Sequence, residues 1–253
     1  MTAVVCDIDG VILRDDEALP GARQLIEELD ARRLEHVVLT NYPSETPSGL
    51  RERFLRAGLF VGEEHFYTSA LATAEFLDGQ AGARRRAYVI GDQALRDALA
   101  GVGFEEAEDD VEFVVLGETP TYSMAMIQRA GRLIKAGARF IATNPDIAGP
   151  LGRPACGALA APIERITGRR PFFVGKPSAI MMRGALKRVG AHSGETLMVG
   201  DNMETDIMAG LQSGMRTILV LSGVSQREDL ARFAYRPHLI VERLDEILPL
   251  LSL

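Results

Sequence analysis

The sequence predicts an α/β fold built on a parallel sheet, and three observations carry that prediction. Short continuous Val/Ile/Leu runs recur along the chain, as expected of strands covered on both faces. The stretches between them place apolar residues at helical spacing, and the residues that close several runs are polar and reactive. With 253 residues, 47% of them hydrophobic and 25% charged, the chain has ample apolar material for a packed core.

In chain order the strand-like runs are AVVC at 3–6, HVVLT at 36–40, AYVIG at 87–91, EFVVLG at 112–117, RFIAT at 139–143, TLMVGD at 196–201 and TILVL at 217–221. Between them GARQLIEELDARRL and SAIMMRGALKRVG carry the helical period. Alternating β and α segments imply ligands beyond the carboxyl ends of the strands. Those ends are the reactive ones: Asp7 follows AVVC, Thr40 and Asn41 close HVVLT, Asp201 closes TLMVGD, and Lys176 follows the apolar run PFFVG. Four predicted strand ends thus converge on one pocket.

A formal net charge of −7 argues against a general nucleic-acid surface, and the run Arg84, Arg85, Arg86 reads as a solvated turn. The first ten residues lack the basic and apolar regions of a secretory signal. No stretch stays apolar for the roughly 18 residues a membrane span requires, so a cytoplasmic protein without membrane partners is expected. Cys6 and Cys156 cannot form a framework of bridges, and Cys6 sits in an apolar run as a small hydrophobe. His36, His65, His192 and His238 show no ligand spacing. Self-association is left open.

The chemistry concentrates at Asp7, Ile8, Asp9 and Gly10. In an extended strand residues two apart share a face, so both carboxylates can reach one site as the strand ends, while Gly10 lets the chain leave sharply. Alone, this tetrapeptide also suits turns and calcium loops; the buried strand before it and the missing EF-hand spacing disfavour calcium. Two carboxylates held together repel each other and any anion, so cations are needed. Lys176 supplies one, and Asp201 with Asp206, in G-D-N-M-E-T-D, can hold a divalent ion, for which magnesium fits the oxygen-rich set.

Taken together, Asp7-x-Asp9, Thr40-Asn41, Lys176 and the G-D-x4-D of Asp201 and Asp206 resemble the four ordered motifs of the haloacid dehalogenase (HAD) superfamily. The segments CDIDGVI, LTNYPS, FYTSA, IATNPD, PACGAL, VGKPS and LVLSGVS are similar to its NagD-type subfamily along nearly the whole chain. The resemblance implies a Rossmann-like core at 1–79 and 171–253, interrupted by an inserted α/β cap of the C2 type at about 80–170. It also implies a magnesium-dependent phosphatase with defined roles. Asp7 is the nucleophile that forms an aspartyl-phosphate, Asp9 is the acid and then the base, and Thr40 and Asn41 donate to phosphate oxygens. Lys176 offsets the transition-state charge. Magnesium is held by the Asp7 carboxylate, the Asp9 carbonyl and Asp201, with Asp206 acting through water or by orienting Lys176.

Two motifs recur. Asp92 and Asp97 repeat the G-D-x4-D spacing, and Thr143-Asn144 repeats T-N; only Asp201 lies after Lys176, as the superfamily order requires. A cap would exclude water and read the leaving group, and Asn144 and Asp146 in T-N-P-D are its candidate substrate contacts, although these are also ordinary turn residues. The expected substrates, by resemblance, are nucleoside monophosphates such as UMP or GMP, with sugar phosphates, phosphoglycolate and pyridoxal phosphate as alternatives. Phosphoryl transfer to an acceptor other than water would use the same intermediate. A dehalogenase would need neither Asp9 nor the metal carboxylates, and a binding module would have lost some of them.

Overall fold

The computed structural model describes residues 3–149 and 152–252, which divide into two units. The first gathers the described residues up to Thr40, Pro47–Tyr67, and those from Lys176 onward; the second gathers Asn41–Thr46 and the described part of Thr68–Gly175. Among the described residues no helix is long and apolar enough to cross a membrane.

The first unit opens with β1 (Ala3–Asp7), buried along its whole length, as its unbroken apolar sequence requires. A short hairpin follows, β2 (Leu13–Arg14) and β3 (Glu17–Ala18). Helix α1 (Ala22–Ala31) buries Ala22, Leu25, Ile26 and Leu29, the stripe set by its helical period. Strand β4 (Glu35–Thr40), helix α2 (Pro47–Arg56) and strand β5 (Phe66–Thr68) come next. Proline opens α2, where its fixed φ suits the first turn and no amide partner is lost.

The second unit then runs α3 (Ser69–Asp78), β6 (Arg86–Ile90), α4 (Gln93–Gly101), β7 (Glu105–Glu106), β8 (Phe113–Leu116), α5 (Met124–Lys135), β9 (Arg139–Ala142), α6 (Cys156–Thr167) and β10 (Phe172–Phe173). Thr68 caps α3 by accepting from the Leu71 amide, and Ser123 caps α5 by accepting from Met126. The chain returns through α7 (Ala179–Val189), β11 (Thr196–Gly200), α8 (Met208–Gln212), β12 (Arg216–Val220) and β13 (Leu239–Val241).

All seven runs read from the sequence are strands. In the first sheet the order is β13-β12-β11-β1-β4-β5, with β1 pairing parallel to both β11 and β4. Cys6 lies opposite Val199 on one side and Val38 on the other, so the carboxyl ends of the three strands are level. The second sheet, β10-β9-β8-β6-β7, is parallel throughout. The strands not anticipated are those too short or too mixed in composition to show a period.

The boundaries differ from the sequence expectation at both ends, the second unit running to Gly175 where 170 was expected. Helix α3 packs on α4 and so joins the second unit, together with Asn41–Thr46, whereas the expected start was near 80. The run PFFVG is also not a strand of the first sheet: Phe172 and Phe173 pair with β9 in the second.

The first core is centred on residues such as Val4, Ile8, Leu25, Leu50, Phe54, Phe66 and Val199. Phe54 is fully buried and meets Phe66 edge to face at 4.9 Å. Phe54→Ala should lower unfolding free energy by about 3–5 kcal/mol, measured by urea denaturation with an unchanged m-value.

Candidate active site

Three of the expected residues emerge where the level strands of the first sheet stop. Asp7 ends β1, Thr40 ends β4, and Asp201 directly follows β11. Lys176 arrives otherwise, on the loop leading into α7, because the strand before it belongs to the other sheet.

Lys176 is 2% exposed, and its Nζ donates to Asp7 Oδ1 at 2.6 Å and to Asp206 Oδ1 at 2.7 Å. Burial alone would depress the amine, but the charges of Asp206 and Asp7 outweigh it and hold Lys176 well above its usual range. Burial likewise pushes the Asp7 carboxyl well above the carboxylate range, with Lys176 pulling it down and Asp206 and Asp201 pushing it up. Asp201 is raised from 3.8 to about 7, by burial first and by Asp206 second, against a 2.6 Å hydrogen bond from the Val224 amide to its Oδ2.

Asp7, Asp201 and Asp206 each offer a carboxylate oxygen within 4.8 Å of the others, and all three are buried. One ammonium among three buried carboxylates leaves an excess of negative charge, which the site can meet only by taking up protons or a second cation. A set of hard oxygens suits a divalent ion such as magnesium.

The G-D-x4-D spacing has a steric origin. A single π-helical turn, Met203–Ile207, folds Asp206 back onto Gly200, where any Cβ would overlap the Asp206 side chain. Asn202 steadies the turn: its Oδ1 accepts from the Glu204 amide at 2.9 Å, and its own amide donates to Asp206 Oδ2 at 3.1 Å. Both oxygens of Asp206 are thus engaged. Asp201 is held as tightly, since a Cβ on Gly223 or on Gly10 would strike its carboxylate, and Gly10 also has a φ of +80°.

Asp9 lies beyond the end of β1, in the turn that Gly10 closes by donating to Leu13 O at 2.8 Å. The two-residue alternation of a strand therefore does not set its direction. Its Oδ1 accepts from Arg53 at 2.8 Å, and 41% of its side chain is exposed.

In the second unit, Asn41 donates through Nδ2 to Asp146 Oδ2 at 3.0 Å. Asn144 has no exposed surface and donates to the Asn41 carbonyl at 2.8 Å and to Glu118 Oε1 at 3.3 Å. That geometry makes Asn144 a brace for the loop; Asp146 is half-buried. The Glu118 carboxyl is raised by burial against the Asn144 bond. Asp92 precedes α4 without capping it, and Asp97 is exposed and accepts from Gln93. Neither belongs to the acidic cluster among the described residues.

His36 and His65 stack face to face at 3.9 Å, with Nδ1 of each on a backbone carbonyl, a packing role. The Cys6 thiol is pushed up by burial and then by Asp7, and stays inert. Sequence reasoning missed Arg53, which meets Asp9 from 44 positions away, and the Gly223–Ser225 loop that grips Asp201. No short-range spacing signals either contact.

Comparison with known proteins is consistent along the chain. A family model described as haloacid dehalogenase-like hydrolase matches residues 4–105, and a HAD-hydrolase-like model matches residues 173–247. The chain is 49% identical over 244 residues to ribonucleotide monophosphatase NagD of Escherichia coli K12, covering 96% of this chain and 97% of that protein. It is 43% identical over 244 residues to dihydroxyacetone phosphatase of Corynebacterium glutamicum, covering 95% and 88%. The solved structure of NagD from E. coli K-12 superposes with a TM-score of 0.95 at 48% identity, covering 98% of each chain. That of glycerol phosphate phosphatase Rv1692 from Mycobacterium tuberculosis in complex with magnesium gives 0.88 at 28% identity, covering 96% and 75%.

The raised carboxyl of Asp201 has a measurable consequence. It holds its proton up to about pH 7 when folded but only to 3.8 when unfolded, so between those values the native state carries the extra proton. Stability in chelator should therefore fall as pH rises through that window. Asp201→Asn removes the ionisation. In urea denaturation with EDTA it should be more stable than the parent at pH 8 by roughly 2–4 kcal/mol, with the gap closing toward pH 4. A gap independent of pH would contradict the shift.

Proposed function

Because the chain belongs to the haloacid dehalogenase-like hydrolase family, in its NagD-type branch, we propose that it hydrolyses nucleoside monophosphates such as UMP or GMP through an aspartyl-phosphate at Asp7. The wider activity is that of a phosphoric monoester hydrolase on small phosphate monoesters. One observation carries the residue assignment: a buried lysine bridges Asp7 to Asp206 beside a third buried carboxylate.

In this reading an oxygen of Asp7 attacks phosphorus as the bond to the leaving alcohol breaks, and the proton on Asp9 passes to the departing oxygen. Water then attacks the same phosphorus, giving its proton to the Asp9 carboxylate. The bond to Asp7 breaks, inorganic phosphate leaves, and both aspartates return to their starting states. Lys176 stays protonated throughout, held so by Asp206, and offsets charge on the transferring group. Thr40, and Asn41 once it exchanges its bond to Asp146, donate to phosphate oxygens.

The buried excess of carboxylates fits magnesium, which Asp7, Asp201 and the Asp9 carbonyl would hold. When bound it neutralises that excess and polarises the phosphate. Asp206, with both oxygens engaged, works by orienting Lys176.

The second reading, a triose or sugar phosphate substrate, is favoured by the similarity to dihydroxyacetone phosphatase. A kcat/KM series over UMP, GMP, dihydroxyacetone phosphate, phosphoglycolate and pyridoxal phosphate decides between them. The nucleotides should lead, and a lead of about tenfold for the triose phosphate would replace the first reading.

Asp7→Asn should abolish turnover with magnesium present, while Asp92→Asn should leave it near the parent's. Asp201→Asn should also lose most activity, and equal losses at Asp201 and Asp92 would sink the choice of acidic motif. Asp9→Asn should cut turnover of UMP by about 10²- to 10⁴-fold, yet release a burst of p-nitrophenol from p-nitrophenyl phosphate before a slow steady state. A low-pKa alcohol departs without an acid, whereas hydrolysis of the intermediate still needs the base. Rapid mixing without a burst would reduce Asp9 to a structural carboxylate.

A further inference from the structure

The carboxylate assigned to proton transfer does not stand alone. Asp9 sits on a tight turn after β1, more than a third exposed, where free rotation of its side chain would spread the carboxyl over several positions. A guanidinium fixes it. Arg53 donates through one terminal nitrogen to Asp9 Oδ1 at 2.8 Å and to the Asp15 carbonyl, and through Nε to Asp16 Oδ1 at 3.1 Å. Its side chain is 12% exposed, while those of Asp9 and Asp16 are 41% and 64% exposed, so the fixed member of the group is the arginine.

That rigidity comes from the helix. Arg53 lies in the last turn of α2, between Leu50 and Phe54, both without exposed surface, and a cation there is also favoured by the helix dipole. The far end of the group is the tip of the β2–β3 hairpin, where Asp15 has a φ of +53°. A single planar fork thus joins a helix anchored by Leu50 and Phe54, the hairpin tip and the candidate acid–base group.

We propose that Arg53 is a positioning residue for the proton-transfer steps, fixing the direction of the Asp9 carboxyl through its 2.8 Å contact with Oδ1. The proposal rests on the reading of Asp9 given above. In the first half-reaction the guanidinium keeps the Asp9 carboxyl aimed at the leaving oxygen. In the second it keeps that carboxylate aimed for water while the intermediate waits. Both half-reactions need Asp9 in place, but only the second is exposed when the leaving group needs no acid.

The test compares Arg53→Ala, Arg53→Gln, Arg53→Lys, Asp16→Ala and Asp9→Asn, with magnesium, on p-nitrophenyl phosphate by rapid mixing and on UMP at steady state. The Ala and Gln variants should show a p-nitrophenol burst, a steady-state kcat lowered about 10- to 100-fold, and KM within about threefold of the parent. Arg53→Lys, which keeps the charge but not the fork, should recover part of the loss. Asp16→Ala, which breaks only the hairpin side of the group, should show no burst. Adding Arg53→Ala to Asp9→Asn should cost less than about twofold more, because both act through one carboxylate.

If the Ala variant does not fold, Arg53→Gln, which keeps much of the aliphatic stem, decides the matter. Equal losses on both esters without a burst, or a full multiplicative loss in the double variant, would make Arg53 a brace of the hairpin and overturn the proposal. A burst in Asp9→Asn with none in Arg53→Gln defeats the proposal while the reading of Asp9 stands. No burst in Asp9→Asn defeats both.

Discussion

An ammonium with almost no access to water, held between two carboxylates, is the constraint around which the first unit is arranged. Lys176 is tenable there only because Asp7 and Asp206 face it, and those carboxylates are tenable only because the lysine does. Removing the lysine would leave three buried carboxylates with no cation among them. The three come from distant parts of the chain, so the parallel register of β1 and β11 and the loop before α7 all serve one electrostatic balance. The balance is also incomplete, because Asp201 adds a third buried carboxylate. A site poised this way answers to the cation or proton that completes it.

The fold was legible where a single period or a single composition decides the local structure. Fully covered strands announce themselves as Val/Ile/Leu runs, and all seven runs are strands. Asp7, Thr40 and Asp201 could be read because the carboxyl edge of a parallel sheet is where such residues collect. The rule failed in two informative places. Lys176 follows an apolar run that pairs in the other sheet, so its arrival depends on a loop and not on a strand end. Asp9 lies past the last paired residue of β1, where alternation no longer sets direction.

What stayed hidden is long-range. Arg53 carries no signal in its neighbourhood that it will meet Asp9, because only the packing of α2 decides where its guanidinium ends. The buried state of Asn144 was equally unreadable, since T-N-P-D looks the same in a solvated turn and in a loop pinned by the Asn41 carbonyl. Glycines were the reverse case. Gly200, Gly10 and Gly223 look like generic turn residues in the sequence, yet each marks a point where a carboxylate lies against bare backbone. The acidic motif is therefore as much a statement about missing side chains as about present ones.

The strand order carries a consequence for how the chain is made. β1 is synthesised first but lies between β4 and β11, and its partner on one side is encoded almost two hundred residues later. While the polypeptide leaves the ribosome, one edge of that apolar strand has no native neighbour until β11 has emerged. The strands and helices of the second unit, by contrast, are nearly contiguous in the chain and complete earlier. Such separation raises the entropy cost of closing the first sheet and leaves an unpaired edge open to wrong partners. The second unit can thus complete its sheet before β11 emerges to close the first.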